Sequence, residues 1–128
     1  MNVLLDTHTL LWTVLRPENL SIAATKVIQD EANSFSVSAA SAWEIATKVR
    51  LGKLPGAAAF EQRFMEELQN LGFAVLPIGA ETALRAGRFT AAHGDPFDRM
   101  IAAQALALDI PVISVDPKLD AFGIRRIW

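Results

Sequence analysis

The chain opens on Val3-Leu4-Leu5-Asp6-Thr7 and repeats that form near its other end in Pro111-Val112-Ile113-Ser114-Val115-Asp116, each time a short apolar run that stops on a carboxylate. Runs this short and this uniformly apolar read as strands buried on both faces, the kind found in parallel sheets with helices above and below. Working outward, two more such runs at 34–37 and 73–76, and an edge strand at 124–128, alternate with helical patterns at 9–15, 21–32, 39–51, 57–71, 80–88 and 96–108. The expected architecture is an α/β/α sandwich around a mostly parallel sheet of four to five strands, with residues 1–128 forming one domain. The second helix should turn Ile22, Val27 and Ile28 inward. The helix at 39–51 should bury Ala42, Trp43, Ala46 and Val49, and 57–71 should be one amphipathic helix with Phe60, Phe64, Leu68 and Leu71 in the core. Gly52 and Gly72 suit the left-handed caps that end those two helices.

Composition narrows the function. With 128 residues, 52% of them hydrophobic and 20% charged, the chain can bury a core without staples. There is no cysteine, which excludes disulfides, thiol nucleophiles and Cys-type zinc sites and fits a reducing cytoplasm. Tyrosine is absent as well. The longest uncharged stretch, 68–80, is interrupted by Gly72, Pro77 and Gly79 and is too short to span a bilayer. The N-terminus lacks a basic lead and meets Asp6 after three apolar residues, so it does not read as a secretory signal. A net charge of −2 and a pI near 5.6 argue against a broad basic face for nucleic acid. No Gly-rich phosphate loop of the Walker or Rossmann type occurs.

The acids fall into a pattern. Asp6 and Asp116 each end a strand, where the crevice of a parallel α/β sheet usually binds ligands. Taken singly, each reads first as the cap of the turn that follows. Glu44 lies in the first turns of the helix after the second strand, where Ser41-Ala42-Trp43-Glu44 has the form of a capping box and Lys48 offers an i,i+4 partner. Asp98 falls in the first turn of the helix that Asp95 and Pro96 open. If the strands are parallel, Asp6, Glu44, Asp98 and Asp116 share one edge of the sheet, whereas Asp30, Glu31 and Asp109 end helices and Glu66 and Glu67 lie within one. Two carboxylates about 5 Å apart repel by roughly 3 kcal/mol at an effective dielectric near 20, so four together call for a cation. An oxygen-rich set with only His8 and His93 as nitrogen donors favours Mg²⁺ or Mn²⁺, and with it phosphodiester hydrolysis by metal-activated water.

At this point Leu4-Leu5-Asp6-Thr7-His8-Thr9-Leu10-Leu11-Trp12, Ser38-Ala39-Ala40-Ser41-Ala42-Trp43-Glu44-Ile45-Ala46, His93-Gly94-Asp95-Pro96-Phe97-Asp98-Arg99-Met100-Ile101 and Ile113-Ser114-Val115-Asp116 together resemble a PIN domain, most closely the VapC-type toxins of toxin–antitoxin modules. The resemblance covers essentially the whole chain. It implies a PIN-like fold and a Mg²⁺- or Mn²⁺-dependent endoribonuclease whose catalytic and metal-holding acids are Asp6, Glu44, Asp98 and Asp116. It also implies an RNA substrate, a small VapB-type antitoxin and a homodimer, with no membrane association. Asp95 is either a fifth acid near the metal or a helix cap, and Thr7 and Ser114 either orient neighbouring carboxylates or make local turn bonds. Lys48, Arg50 and Lys53 could meet the RNA backbone or simply solvate a helix end, and Arg99 could bind phosphate or support the acids. His8 and His93 read as helix-entry or packing residues. A DNA nuclease or phosphatase on the same acids, a non-catalytic interaction module and a receiver-like phosphoacceptor are the competing readings.

Overall fold

A computed structural model describes all 128 residues. The strands are β1 (Asn2–Leu5), β2 (Ser34–Ser38), β3 (Ala74–Leu76), β4 (Val112–Ile113) and β5 (Arg126–Ile127). The helices are α1 (Thr7–Leu15), α2 (Ile22–Gln29), α3 (Ala39–Arg50), α4 (Ala58–Gln62), α5 (Phe64–Leu71), α6 (Ala80–Arg88) and α7 (Pro96–Leu108), with 3₁₀ turns at Pro17–Asn19 and Pro117–Phe122. The strands form one sheet in the order β3-β2-β1-β4-β5, and every pairing is parallel. The premise on which the acids were placed at one edge therefore holds.

β1 lies at the centre because Val3, Leu4 and Leu5 leave no surface exposed on either face. Its side chains alternate between two cores. Val3 and Leu5 join Phe35, Val37, Ile45, Phe60, Phe64 and Leu68 on one face, while Leu4 joins Ile101, Ala102, Val112, Leu119 and Phe122 on the other. From β1 the chain builds outward through β2 to β3, then returns to the opposite side of β1 to lay down β4 and β5. Adjacent connections thus leave in opposite directions at the β1/β4 boundary, which opens a crevice beyond the carboxyl ends of those strands. Leu5 is opposite Val37 on one side and Ile113 on the other, so Asp6, Ser38 and Ser114 leave the sheet side by side.

Several local expectations fail for identifiable reasons. Residues 57–71 are two helices, broken at Arg63 (φ −111°, ψ 24°), though Phe60, Phe64 and Leu68 are all buried as their spacing requires. Leu71 and Ile22 are exposed, and α2 turns Ala24, Val27 and Ile28 inward instead. Trp43 is 63% exposed rather than core, with its ring edge-on to Phe97 at 4.8 Å. The capping box does not form: Ser38, the last residue of β2, caps α3 by accepting from the Ala40 N–H, and Ser41 lies inside the helix. No helix is long and apolar enough to cross a membrane.

Candidate metal centre

Asp6 follows β1 directly and caps α1, its Oδ1 accepting from the Thr9 N–H at 2.8 Å. Thr9 also donates its hydroxyl to the Ile113 carbonyl at 2.9 Å, which ties the start of α1 to the end of β4. Burial pushes the Asp6 carboxyl up, against the Ser114 hydroxyl and the Thr9 N–H, which favour its charged form. Asp116 repeats the design after β4. Its Oδ1 accepts from the Lys118 N–H at 3.0 Å and caps the 3₁₀ turn, while its own N–H donates to the Ser114 Oγ at 3.0 Å. Ser114 is fully buried between the two aspartates and braces both, the orienting role rather than an isolated turn bond.

Asp98 arrives from the other direction, on the first turn of α7. Asp95 is the N-cap there, its Oδ1 accepting from the Phe97 and Asp98 N–H groups at 2.9 and 3.1 Å. Burial pushes the Asp98 carboxyl up to about 6; the charges of Asp95 and Asp6 push the same way, and His93 opposes them. His93 Nε2 lies 2.8 Å from Asp98 Oδ2 and 3.8 Å from Asp116 Oδ2. One ligand atom from each of His93, Asp98 and Asp116 lies within 4.8 Å of the others. Reading His93 as a packing residue is therefore corrected. The available signal was a histidine five residues ahead of a helix-opening aspartate, and loop conformation hides what such spacing means.

Arg99 is also corrected. Its guanidinium donates to the backbone carbonyls of Ala86, Gly87, Phe89, Ala91 and His93, which binds the loop before α7 and leaves no fork for phosphate or carboxylate. Thr7 orients no carboxylate, since its hydroxyl donates to Ser41 Oγ at 2.9 Å and joins α1 to α3. Lys48 pairs with Glu44 Oε2, so it is engaged within α3, whereas Arg50 and Lys53 are exposed near the helix end. His8 is exposed on α1 beside Trp12, as a helix-entry residue would be.

Glu44 is only 3% exposed and makes no hydrogen bond to the three aspartates. Its Oε1 is buried with no partner, a position that costs about 1–3 kcal/mol unless something positive supplies it. The group formed by His93, Asp98 and Asp116 offers one imidazole and two carboxylates that fit a divalent cation, with the charge of Asp6 felt at Asp98, while the orphaned oxygen of Glu44 lies in α3 outside that group.

A family model described as PIN domain matches residues 3–124. The chain is 30% identical over 120 residues to ribonuclease VapC22 of Mycobacterium tuberculosis, spanning 91% of this chain and 88% of that protein. Among solved structures, VapBC2 from Rickettsia felis bound to a DNA fragment from its promoter aligns with a TM-score of 0.70 at 12% identity, over 98% of this chain and 97% of that one. VapBC-1 from nontypeable Haemophilus influenzae aligns at 0.65 and 22% identity, over 98% and 96% of the two chains. At such identities the solved structures establish the fold.

Proposed function

The chain belongs to the PIN domain family, and from that premise we propose that it is a metal-dependent endoribonuclease acting as the toxin of a toxin–antitoxin pair. The observation that supports this reading is the grouping of Asp98, Asp116 and His93 beyond the carboxyl ends of β1 and β4, where Asp6 follows β1 and its charge raises the Asp98 carboxyl. A Mg²⁺ or Mn²⁺ bound here would supply Lewis-acid chemistry to phosphodiester hydrolysis. Asp6, Asp98 and Asp116 would hold it, and Glu44 would contribute buried negative charge from α3. Ser114 fixes the spacing of Asp6 and Asp116, and Asp95 fixes α7 so that Asp98 faces them. Of Lys48, Arg50, Lys53 and Arg99, the two that stay exposed and unpaired, Arg50 and Lys53 near the end of α3, are the ones offered to the RNA backbone.

A VapB-type antitoxin belongs to the same reading, supported by fold neighbours that are VapBC structures, and a homodimer is proposed with it from the family resemblance alone. So do a cytoplasmic location, where the RNA is, and a single domain over 1–128, supported by a sheet that recruits strands from both ends of the chain. The test is incubation with structured RNA and matching DNA in Mg²⁺, Mn²⁺ or EDTA. RNA should be cut only with metal, and Asp6→Asn and Asp98→Asn should each lower the rate by at least roughly a hundredfold. Absence of any metal-dependent RNA cut would sink the reading, and a cut confined to DNA would replace it.

A further inference from the structure

Nothing in the family match assigns a role to His93, yet its imidazole stands among the acids. We propose that His93 is a nitrogen ligand of the divalent cation, joining Asp98 and Asp116, and that it tilts the centre toward Mn²⁺ over Mg²⁺. The proposal rests on reading the acidic cluster as a cation site.

Three observations carry it. The first is distance. Neighbouring ligands at right angles on an octahedral ion with bonds of 2.0–2.1 Å lie roughly 3 Å apart, and opposite ones roughly 4.2 Å. The imidazole Nε2 lies 2.8 Å from Asp98 Oδ2 and 3.8 Å from Asp116 Oδ2, and all three atoms fall within 4.8 Å of one another. An ion could sit among them after shifts of a few tenths of an ångström.

The second is construction. His93 does not swing on a free loop, because Arg99 accounts for its backbone: the guanidinium donates to the His93 carbonyl at 2.9 Å and to those of Ala91 and Phe89 on the same approach. The ring is only 15% exposed and packs beside Phe122, with centroids 5.9 Å apart. This half-buried arginine spends all five of its donors on backbone carbonyls, and its effect here is to hold one imidazole against two carboxylates.

The third is chemistry. Carboxylates and water suit Mg²⁺, while an imidazole nitrogen improves a site for first-row transition ions and does little for Mg²⁺. A ring contributed from the loop before α7 therefore changes which ion the acids prefer.

The experiment uses the full chain loaded with Mn²⁺ and no RNA. Electron spin-echo envelope modulation of the bound ion should show coupling to an imidazole ¹⁴N, which changes to the ¹⁵N pattern when histidine is isotopically labelled. The coupling should persist in His8→Ala and vanish in His93→Ala. By calorimetry, His93→Ala should weaken Mn²⁺ at least roughly tenfold and Mg²⁺ far less. Mn²⁺ that binds in an Asp98-dependent way without nitrogen coupling overturns the role of His93 and leaves the acidic site standing. Mn²⁺ binding unaffected by Asp98→Asn removes the site itself. Should His93→Ala fail to fold, isotopic labelling of the unaltered chain together with His8→Ala still decides.

Discussion

Asp6 and Asp116 divide their two oxygens between two tasks, so the capping and metal-holding readings of each residue do not compete. In each, Oδ1 takes a backbone N–H of the next turn and so steadies the rotamer, and in Asp116 this leaves Oδ2 facing His93 at 3.8 Å. Asp98 carries the clearest pH consequence. Its folded-state pKa of about 6 lies above the ordinary 3.8, so its contribution to stability is fully present below pH 4 and is lost as pH rises through 6. In EDTA, the melting temperature of the metal-free protein should therefore lose a component of stability between pH 4 and 7 that Asp98→Asn lacks, and the variant should melt higher at pH 7.5. Metal binding needs the ionised form, so apparent Mn²⁺ affinity should fall steeply below pH 6. Asp95 separates cap from ligand. Asp95→Asn keeps the capping oxygen but removes a charge that raises Asp98, so the affinity threshold should move to lower pH with little change at pH 8. Asp95→Ala should cost about 1 kcal/mol of stability through the lost cap, measured by urea denaturation. Lys48→Met would strand the buried Glu44 carboxylate and cost about 2 kcal/mol, and adding Glu44→Gln should restore part of it.

At the scale of elements, the strands and the acids at their ends were legible because a doubly buried strand is a short uniform apolar run and a carboxylate ending it stands out. What escaped was decided by contacts that periodicity does not encode. The spacing of Phe60, Phe64 and Leu68 survives a break at Arg63, so burial was read correctly and continuity was not. Ser41 and Ser38 both suit a cap, and the strand ladder settles the choice, since β2 runs through Ser38 and α3 begins at the next residue. Trp43 looked like core by residue type, but α3 turns Ile45 to the sheet and leaves the indole against Phe97. The roles of Arg99 and His93 are hidden together, because the loop from Phe89 to His93 has no period and is tied, with the end of α6, by one guanidinium. Arg99→Lys should show this. A lysine has three donors at one point and cannot reach five carbonyls in different directions. Amide exchange across 86–93 should accelerate, and Mn²⁺ affinity should fall, while exchange in β1 changes little.

For the whole molecule, the sheet order was not written in the sequence, since five short apolar strands can be arranged in several ways that preserve their alternation with helices. The burial of β1 on both faces marks it as central, and Leu5→Ala should cost about 2–5 kcal/mol because it removes packing from the junction of β1, β2 and β4. On the proposed reading, the net charge of −2 is a poor guide to partners, because a bound cation would reverse the sign of the charge at the acids. Mn²⁺ at a hundredfold excess over Kd should stabilise the fold by about 2.7 kcal/mol, a rise in Tm on the order of 10 °C that Asp98→Asn should abolish. The pairing of Leu4 with Val112 has a further consequence in time. It joins two strands far apart along the chain, a contact of high sequence separation that makes the central ladder slow to close. While the protein is being synthesised, Asp6 has no β4 beside it and Asp116 does not yet exist. The candidate site therefore does not exist in any partly folded chain that has β1 but not β4 in the sheet, and it is completed only when the central ladder closes.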